Sequence, residues 1–367
     1  MPQKSQHRDE KARDASRGIR LWLWIVAAGI FAMVVVGGAT RLTESGLSIT
    51  EWQPVTGVLP PLTAADWRDA FEKYKQIPQY REMFPNMDLA HFQTIYAWEW
   101  SHRLLGRVIG LVFALPFLWF LFKGKITGPL RGRLAGIFAL GGLQGFVGWW
   151  MVSSGLIHRV EVAQERLAIH LLLASLTFAA VLWTAESLRP NFRDPVGRDA
   201  NSFRFEASLL LALAFVQIGL GGLVAGLRAG LVYNTWPWMD GRFIPPADHL
   251  FSLSPWYSNL VNNITTTQFE HRITAYLLLA LALFHAFHIS REHLAKRAVR
   301  RASALAALVL AQAALGVTTL LLLVPLWAGL LHQAFAMIVL AMATIHRRKL
   351  GPHCADAGAP LPTRQIA

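Results

Sequence analysis

Cysteine is almost missing from this chain: Cys354 is the one cysteine in 367 residues. An intramolecular disulfide is therefore excluded. Charge is scarce as well. Only 16% of the residues are Asp, Glu, Lys or Arg, against roughly 25% in a soluble globular protein. Acidic residues are the scarcer sign, 22 against 35 Lys plus Arg, which leaves a net charge of +13. No separate cleavable apolar stretch stands in the charged first 20 residues, so no signal peptide is expected. Asp9, Glu10 and Asp14 in that stretch argue against a mitochondrial transit peptide.

What is abundant is apolar sequence, 54% of the chain. It comes in blocks of about 20 residues, the length that spans a bilayer core. Eight blocks stand out, at 21–39, 97–122, 133–152, 167–185, 205–226, 272–290, 302–324 and 326–345, with Pro325 marking the turn between the last two. The fold class expected is an all-α integral membrane protein of eight transmembrane helices.

The positive charge does not read as a nucleic-acid surface. It gathers in Lys4 to Arg20, in Lys123, Lys125, Arg131 and Arg133, in Arg189 to Arg204, in Arg291 to Arg301, and in Arg347, Arg348 and Lys349. These are the two termini and alternate connections. By the positive-inside rule they are cytoplasmic, and both termini face inward. The connections 40–96, 153–166 and 227–270 then lie outside. A bacterial cytoplasmic membrane is the expected location, with the bilayer as partner and no nucleic acid.

The chain repeats itself. Gly37-Gly38, Gly46-Leu47, Trp52, Gly57 and Pro60-Pro61 are echoed by Gly221-Gly222, Gly230-Leu231, Trp236, Gly241 and Pro245-Pro246. His102-Arg103 matches His271-Arg272, Gln144 and Gly148 match Gln312 and Gly316, and His170 matches His332. Four helices per half return the chain to its starting side, so the expected repeat is parallel, about an axis along the membrane normal. The organisation expected is a tail at 1–20, one four-helix bundle at 21–190, a second at 200–350 and a tail at 351–367. Residues 1–18 and 352–367 read as flexible. Gly106/Gly110, Gly141/Gly145 and Gly222/Gly226 read as close-packing pairs. Residues 63–76 read as a helix with a capping box at Thr63 and Asp66, lying on the membrane or covering a site.

Four of the 13 histidines, His102, His170, His271 and His332, sit at matched depth near the outer ends of the even-numbered helices. An imidazole inside a bundle is costly unless satisfied, so such residues are functional candidates. Zinc wants a closed shell of Cys, His or carboxylate, and no further matched set exists. Haem iron needs only axial ligands, which two histidines of one bundle supply. Arg103 and Arg272 directly follow two of the histidines, and Arg41 and Arg107 lie near the same end. Their guanidinium groups suit haem propionates, or else anchor the helices at the interface. The halves differ at one place: Glu99 lies three residues before His102, whereas Gln268 stands three before His271. A carboxylate beside one haem suggests unequal roles, one haem as substrate and the other as electron relay. The structural alternative is that Glu99 pairs with Arg103.

These residues resemble the haem A synthase family. The matching strings are Gly37-Gly38-Ala39-Thr40-Arg41-Leu42-Thr43 with Ser45-Gly46-Leu47-Ser48, Glu99-Trp100-Ser101-His102-Arg103, Asn234-Thr235-Trp236-Pro237 with Met239-Asp240-Gly241, and Glu270-His271-Arg272. The resemblance covers both halves, from about residue 22 to 346. It implies a membrane oxidoreductase for cytochrome oxidase assembly. The C8 methyl of haem O would become a formyl group by two hydroxylations and loss of water from a gem-diol. His102 and His170 would flank the substrate haem, with Glu99 at the reacting group. His271 and His332 would ligate a resident haem b that passes electrons. Haem O synthase and an electron donor are the partners implied. Some members carry cysteine pairs in the outer loops; this chain has none and is similar to the proteobacterial and mitochondrial branch.

Two other functions are compatible with parts of the pattern. A b-type electron-transfer cytochrome would use His285 and His346, each 14 residues after a candidate ligand, to hold a second haem, although His346 adjoins Arg347-Arg348-Lys349 and reads as juxtamembrane. A parallel-repeat transporter would need ionisable residues near the midplane, whereas here they gather at the outer end.

Overall fold

The computed structural model describes residues 2–53, 56–157, 159–189, 200–292 and 295–350. Eight long helices carry the fold. They are α1 (Pro2–Leu42), α2 (Leu89–Phe122), α3 (Gly128–Ser153), α4 (Gln164–Ser187), α5 (Ala200–Gly226), α6 (Ile264–Arg291), α7 (Lys296–Leu321) and α8 (Leu326–Lys349). All eight contain a stretch long and apolar enough to cross a bilayer. The chain is a multi-pass, all-helical membrane protein. Large apolar side chains such as Leu115, Trp119, Phe122, Phe284 and Phe287 remain exposed on the bundle, which is where lipid replaces water as solvent.

Helices outrun their apolar blocks where a cap or good helix formers allow it. The α2 helix starts at Leu89 rather than 97 because the Asp88 carboxylate accepts the His91 N–H at 2.8 Å, satisfying an orphan donor of the first turn. The α1 helix begins at Pro2, so the segment 1–18 that reads as a flexible tail is helical from there on. Its Gln, Lys, Glu, Ala and Arg content propagates a helix once the apolar part has nucleated one. Residues 352–367 lie outside the described residues. Between α7 and α8, Leu323 and Val324 both take left-handed backbone angles, and Pro325 caps α8. The reversal is therefore as tight as Pro325 suggests.

The helices form two rings of four. In the first, α1 meets α2 and α4, and α3 closes against both neighbours; in the second, α5 meets α6 and α8, and α7 closes. The rings join along α1, α4, α5 and α8. The glycine doublets explain how. A Cβ on Gly38 would collide with the Gln333 amide of α8, and one on Gly222 would stand 2.9 Å from the Ala168 Cα of α4. These two residues, 184 apart in sequence, each admit the last helix of the other half. Gly226 likewise lies against Gln164. By contrast, Gly141 and Gly145 have nothing within 4 Å of a built Cβ. Their reading as a close-packing pair is corrected: no helix of the described residues approaches that face of α3.

At the histidine end the junction is ionic. Arg41 donates to Glu44 at 3.1 Å and to Glu161 at 2.5 Å. Arg228 pairs with Glu44 at 2.7 Å and also with Glu161. Glu44 and Arg228 are again 184 residues apart, and both adopt left-handed angles. Burial pushes the Glu44 carboxyl above its usual range, with Arg41 and Arg228 pulling it back.

Candidate functional site

All four histidines rest on glycines of the helix before them. A Cβ on Gly37 would lie 3.0 Å from His102 Nε2, one on Gly148 3.0 Å from His170 Cε1, one on Gly221 3.3 Å from His271 Cε1, and one on Gly316 2.8 Å from His332 Cε1. Any larger residue would push the imidazole aside. The first glycine of each doublet thus makes room for a histidine of its own half, and the second for a helix of the other.

Three of the histidines have a glutamine four residues before that glycine. The Gln144 amide nitrogen donates to the His170 carbonyl at 3.1 Å, Gln217 to the His271 carbonyl at 3.1 Å, and Gln312 to the His332 carbonyl at 3.0 Å. The same nitrogen lies 3.1 to 3.5 Å from both ring nitrogens of its histidine. Near-equal distances to both mean that it sits against the ring rather than in line with one lone pair. The sequence marks Gln144 and Gln312 as repeat landmarks; their contact with the histidines, and that of Gln217, emerges only when helices are placed side by side.

In the second half the rings of His271 and His332 are 6.5 Å apart, inclined at 73°. With a metal–imidazole bond of about 2 Å and about 1 Å from nitrogen to ring centre, two imidazoles on one metal have centres about 6 Å apart. The pair is therefore spaced as two axial ligands of one haem iron are.

The arginine that follows the histidine is held alike in both halves. Arg103 donates to the carbonyls of Ile49 at 2.9 Å and Glu51 at 3.1 Å. Arg272 donates to those of Tyr233 at 2.6 Å and Thr235 at 2.9 Å, residues 184 further on. Each guanidinium thereby folds its loop over the histidine end. Arg272 Nε is buried without a partner among the described residues. Arg107 donates to the Gln53 carbonyl at 2.8 Å. Arg41 belongs to the ionic junction and also reaches the Ala225 carbonyl at 3.1 Å.

Glu99 is 2% exposed. One carboxylate oxygen accepts from the Ser48 hydroxyl at 2.7 Å and the Ile49 N–H at 2.8 Å; the other accepts from Arg103 at 2.7 Å. Gln268 sits at the matching place, yet its amide nitrogen donates to the carbonyls of Ala229 at 2.8 Å and Val232 at 2.5 Å. The first loop thus presents donors where the second presents acceptors. The change from Glu to Gln is matched by its surroundings.

The loops are built differently. In the first, a helix at Ala64–Tyr74 starts from the capping box of Thr63 and Asp66, whose bonds to Thr63 lower the Asp66 carboxyl below its usual range. That helix packs on the start of α2: Phe71 stacks on Phe92 at 4.9 Å and Trp67 meets Tyr96 at 5.1 Å. Tyr74 donates to Gln79, which donates to the Glu44 carbonyl. In the second loop, Asn259 and Asn263 replace this aromatic core with amide bonds to Leu253, Trp256, His249 and Ser252.

At the far end of the second ring lies a group the sequence only half reveals. His285 Nδ1 and His288 Nδ1 each bond Glu206 at 2.7 Å, and His285 Nε2 meets His346 Nε2 at 2.8 Å. His346 is fully buried three residues before the end of α8, where Lys349 pairs with Glu186 and Arg348 donates to Ser187, both at the end of α4. The His285 and His346 rings are 5.1 Å apart and bonded to each other, too close to bracket an iron. The second haem of a stacked cytochrome therefore finds no ready ligand pair here.

Comparison with known proteins agrees with this architecture. The family model of the cytochrome oxidase assembly protein COX15-CtaA matches residues 20–344. The chain is 57% identical to the haem A synthase of Beijerinckia indica subsp. indica over 92% of its own length and 94% of the relative's. It is 58% identical to that of Bradyrhizobium sp. (strain ORS 278) over 91% of each chain, and 55% identical to that of Rhodopseudomonas palustris (strain BisA53) over 96% of each. The chain belongs to the haem A synthase family of cytochrome oxidase assembly proteins.

Proposed function

We propose that this chain is a haem A synthase, oxidising the C8 methyl of haem O to a formyl group by two successive hydroxylations, each a two-electron oxidation of that carbon at the expense of an oxidant from outside the chain, and by loss of water from the gem-diol. Haem O is the substrate, taken by the first ring between His102 and His170. A resident haem b is held by His271 and His332 in the second ring. The observation that carries this reading is the His271–His332 pair, spaced at 6.5 Å for one iron, in a chain of this family.

A haem b bound there supplies one-electron relay between an external donor and the substrate half. The chain's own residues do the rest. His271 and His332 orient that group, and Gly221 and Gly316 keep space for the two rings. Arg272 and Arg103 direct positive charge to the same end, where propionates would lie; Arg41 adds charge from within its ion pairs. Glu99 acts at the reacting group of the substrate, holding or moving a proton. In support, its carboxylate is pinned by Ser48, Ile49 and Arg103, so that its position is defined. The first loop, with its aromatic helix, excludes water from this end.

By the positive-inside rule the termini are cytoplasmic and the histidine end faces the outer side of a bacterial cytoplasmic membrane. Haem O synthase and an electron donor are the partners expected. The test is extraction of haems from the purified protein, made in cells that also produce haem O, followed by chromatography with mass detection. Haem b together with haem A or hydroxylated haem O is expected. Haem b alone would favour an electron-transfer cytochrome.

A further inference from the structure

The three glutamines beside the histidines share an unmet need. The amide oxygens of Gln144, Gln217 and Gln312 are all buried without a hydrogen-bond partner among the described residues. Their orientation is settled by the neighbouring carbonyl: turned over, each amide would set oxygen against oxygen. Leaving a buried acceptor unpaired costs roughly 1–3 kcal/mol, and here the same vacancy in bonding occurs three times, always beside a candidate ligand. Histidines that ligate a metal almost always donate their other ring N–H to a nearby acceptor, which fixes the ring and raises its basicity.

The fourth histidine has no such neighbour. Four residues before Gly37 stands Met33, where Gln217 stands four before Gly221. The Met33 Cε lies on the same face, 3.3 Å from where a Gly106 Cβ would be, one turn below His102. A thioether offers at best a weak acceptor. Among the described residues the His102 ring makes no hydrogen bond, and it is turned differently: Nε2, not Cε1, is its nearest atom to the glycine.

We propose that Gln144, Gln217 and Gln312 are positioning residues, each anchoring a histidine's backbone through its amide N–H and accepting that histidine's Nδ1–H through its amide oxygen when Nε2 binds iron, and that Met33 leaves His102 as the one exchangeable ligand. The proposal rests on the haem-binding reading above. It makes a chemical distinction between the halves: a haem held by His271 and His332 has two oriented ligands and stays, whereas a haem held by His170 and an unanchored His102 can be released. A substrate that must leave as product needs that asymmetry; a resident relay does not.

The test uses the full-length protein in detergent, loaded with haem b and haem O. Met33→Gln and Gln217→Met exchange the two environments with side chains of similar size. Excess apomyoglobin captures released haem, and chromatography of what remains bound separates haem b from haem O and its products. Removing such an outer partner typically costs 10–100-fold in metal affinity. In the unaltered protein haem O is therefore expected to leave at least about tenfold faster than haem b. Met33→Gln should slow haem O loss about tenfold and leave haem b loss unchanged. Gln217→Met should speed haem b loss by a similar factor and shift its midpoint potential, a change that simple loosening of the bundle would not produce. Unaltered haem O release in Met33→Gln overturns the assignment of His102, even if Gln217→Met fails to fold. Normal potentials and release in a folded Gln217→Met protein overturn the role of the glutamines. A folded protein that retains neither haem would instead defeat the haem-binding reading itself, and the glutamine roles with it.

Discussion

The two halves of this chain use one scaffold with a few exchanged residues, and the exchanges come in sets. Glu99 faces a hydroxyl and an N–H, while Gln268 faces two carbonyls. The first loop closes over an aromatic cluster, the second over asparagine amides. The first half has Met33 where the second has Gln217. What stays the same is equally informative: the glycine doublet, the histidine and the arginine that grips the loop carbonyls. In the proposed function the shared set is what would hold a haem in either half. The altered set is where a substrate half would have to differ from a relay half.

The largest effect is expected from exchanging the acidic and neutral partners. Glu99→Gln should lower haem A formation by roughly 100-fold, the usual scale for losing a proton-transfer group, with haem content retained. Turnover by the purified enzyme and haem extraction check both parts. Normal turnover would reduce Glu99 to a tie for Arg103 and erase the functional contrast. The mirror change, Gln268→Glu, sets a carboxylate against the Ala229 and Val232 carbonyls. It should destabilise the second half by about 1–3 kcal/mol, read as a lower melting temperature, with the first half unaffected.

Next come the doublets. Gly38→Ala and Gly222→Ala should each weaken the junction between rings by about 1–3 kcal/mol, the cost of overpacking a close contact. Thermal unfolding with each haem's absorbance as a separate probe measures this. Gly221→Ala, one residue away, should instead disturb the haem b spectrum while leaving the junction intact. If neighbours in a doublet behave alike, the division of labour between them fails.

A smaller effect is expected at the far end. His346→Ala leaves His285 with an unpaired nitrogen, at a cost of about 1–3 kcal/mol, while the haem content stays unchanged. Loss of a haem in that variant would restore the stacked-cytochrome reading. The smallest effect is at the first loop. Thr63→Ala removes the cap of the helix at Ala64–Tyr74 and should speed amide exchange there several-fold, with no counterpart in the second loop.

Much of this was legible from the chain alone. Eight apolar blocks predict eight helices because a bilayer selects length and hydropathy so strongly. The glycine doublets stand out because they recur 184 residues apart, and the His-Arg pairs because they recur 169 apart. The capping box at Thr63 and Asp66 is visible because its partners are three residues apart. Contacts between distant elements were not legible. Glu44 with Arg228, and Glu206 with His285 and His288, join different helices or loops, and no local spacing announces them. The Gln217 partnership is intermediate. Gln144-Gly148 and Gln312-Gly316 share its four-residue spacing, so the pattern was present, but only packing reveals that it faces a histidine. Gly141 and Gly145 show the opposite failure, since small-residue spacing marks a possible contact without saying that a helix arrives.

The central claim is that the halves hold different haems. Its most direct test is extraction of haems from His170→Ala and His332→Ala proteins, made side by side in cells supplying both haem b and haem O. The account predicts that His332→Ala loses haem b and keeps haem O or its oxidised products, while His170→Ala keeps haem b and loses the other. Loss of the same haem in both variants would contradict it.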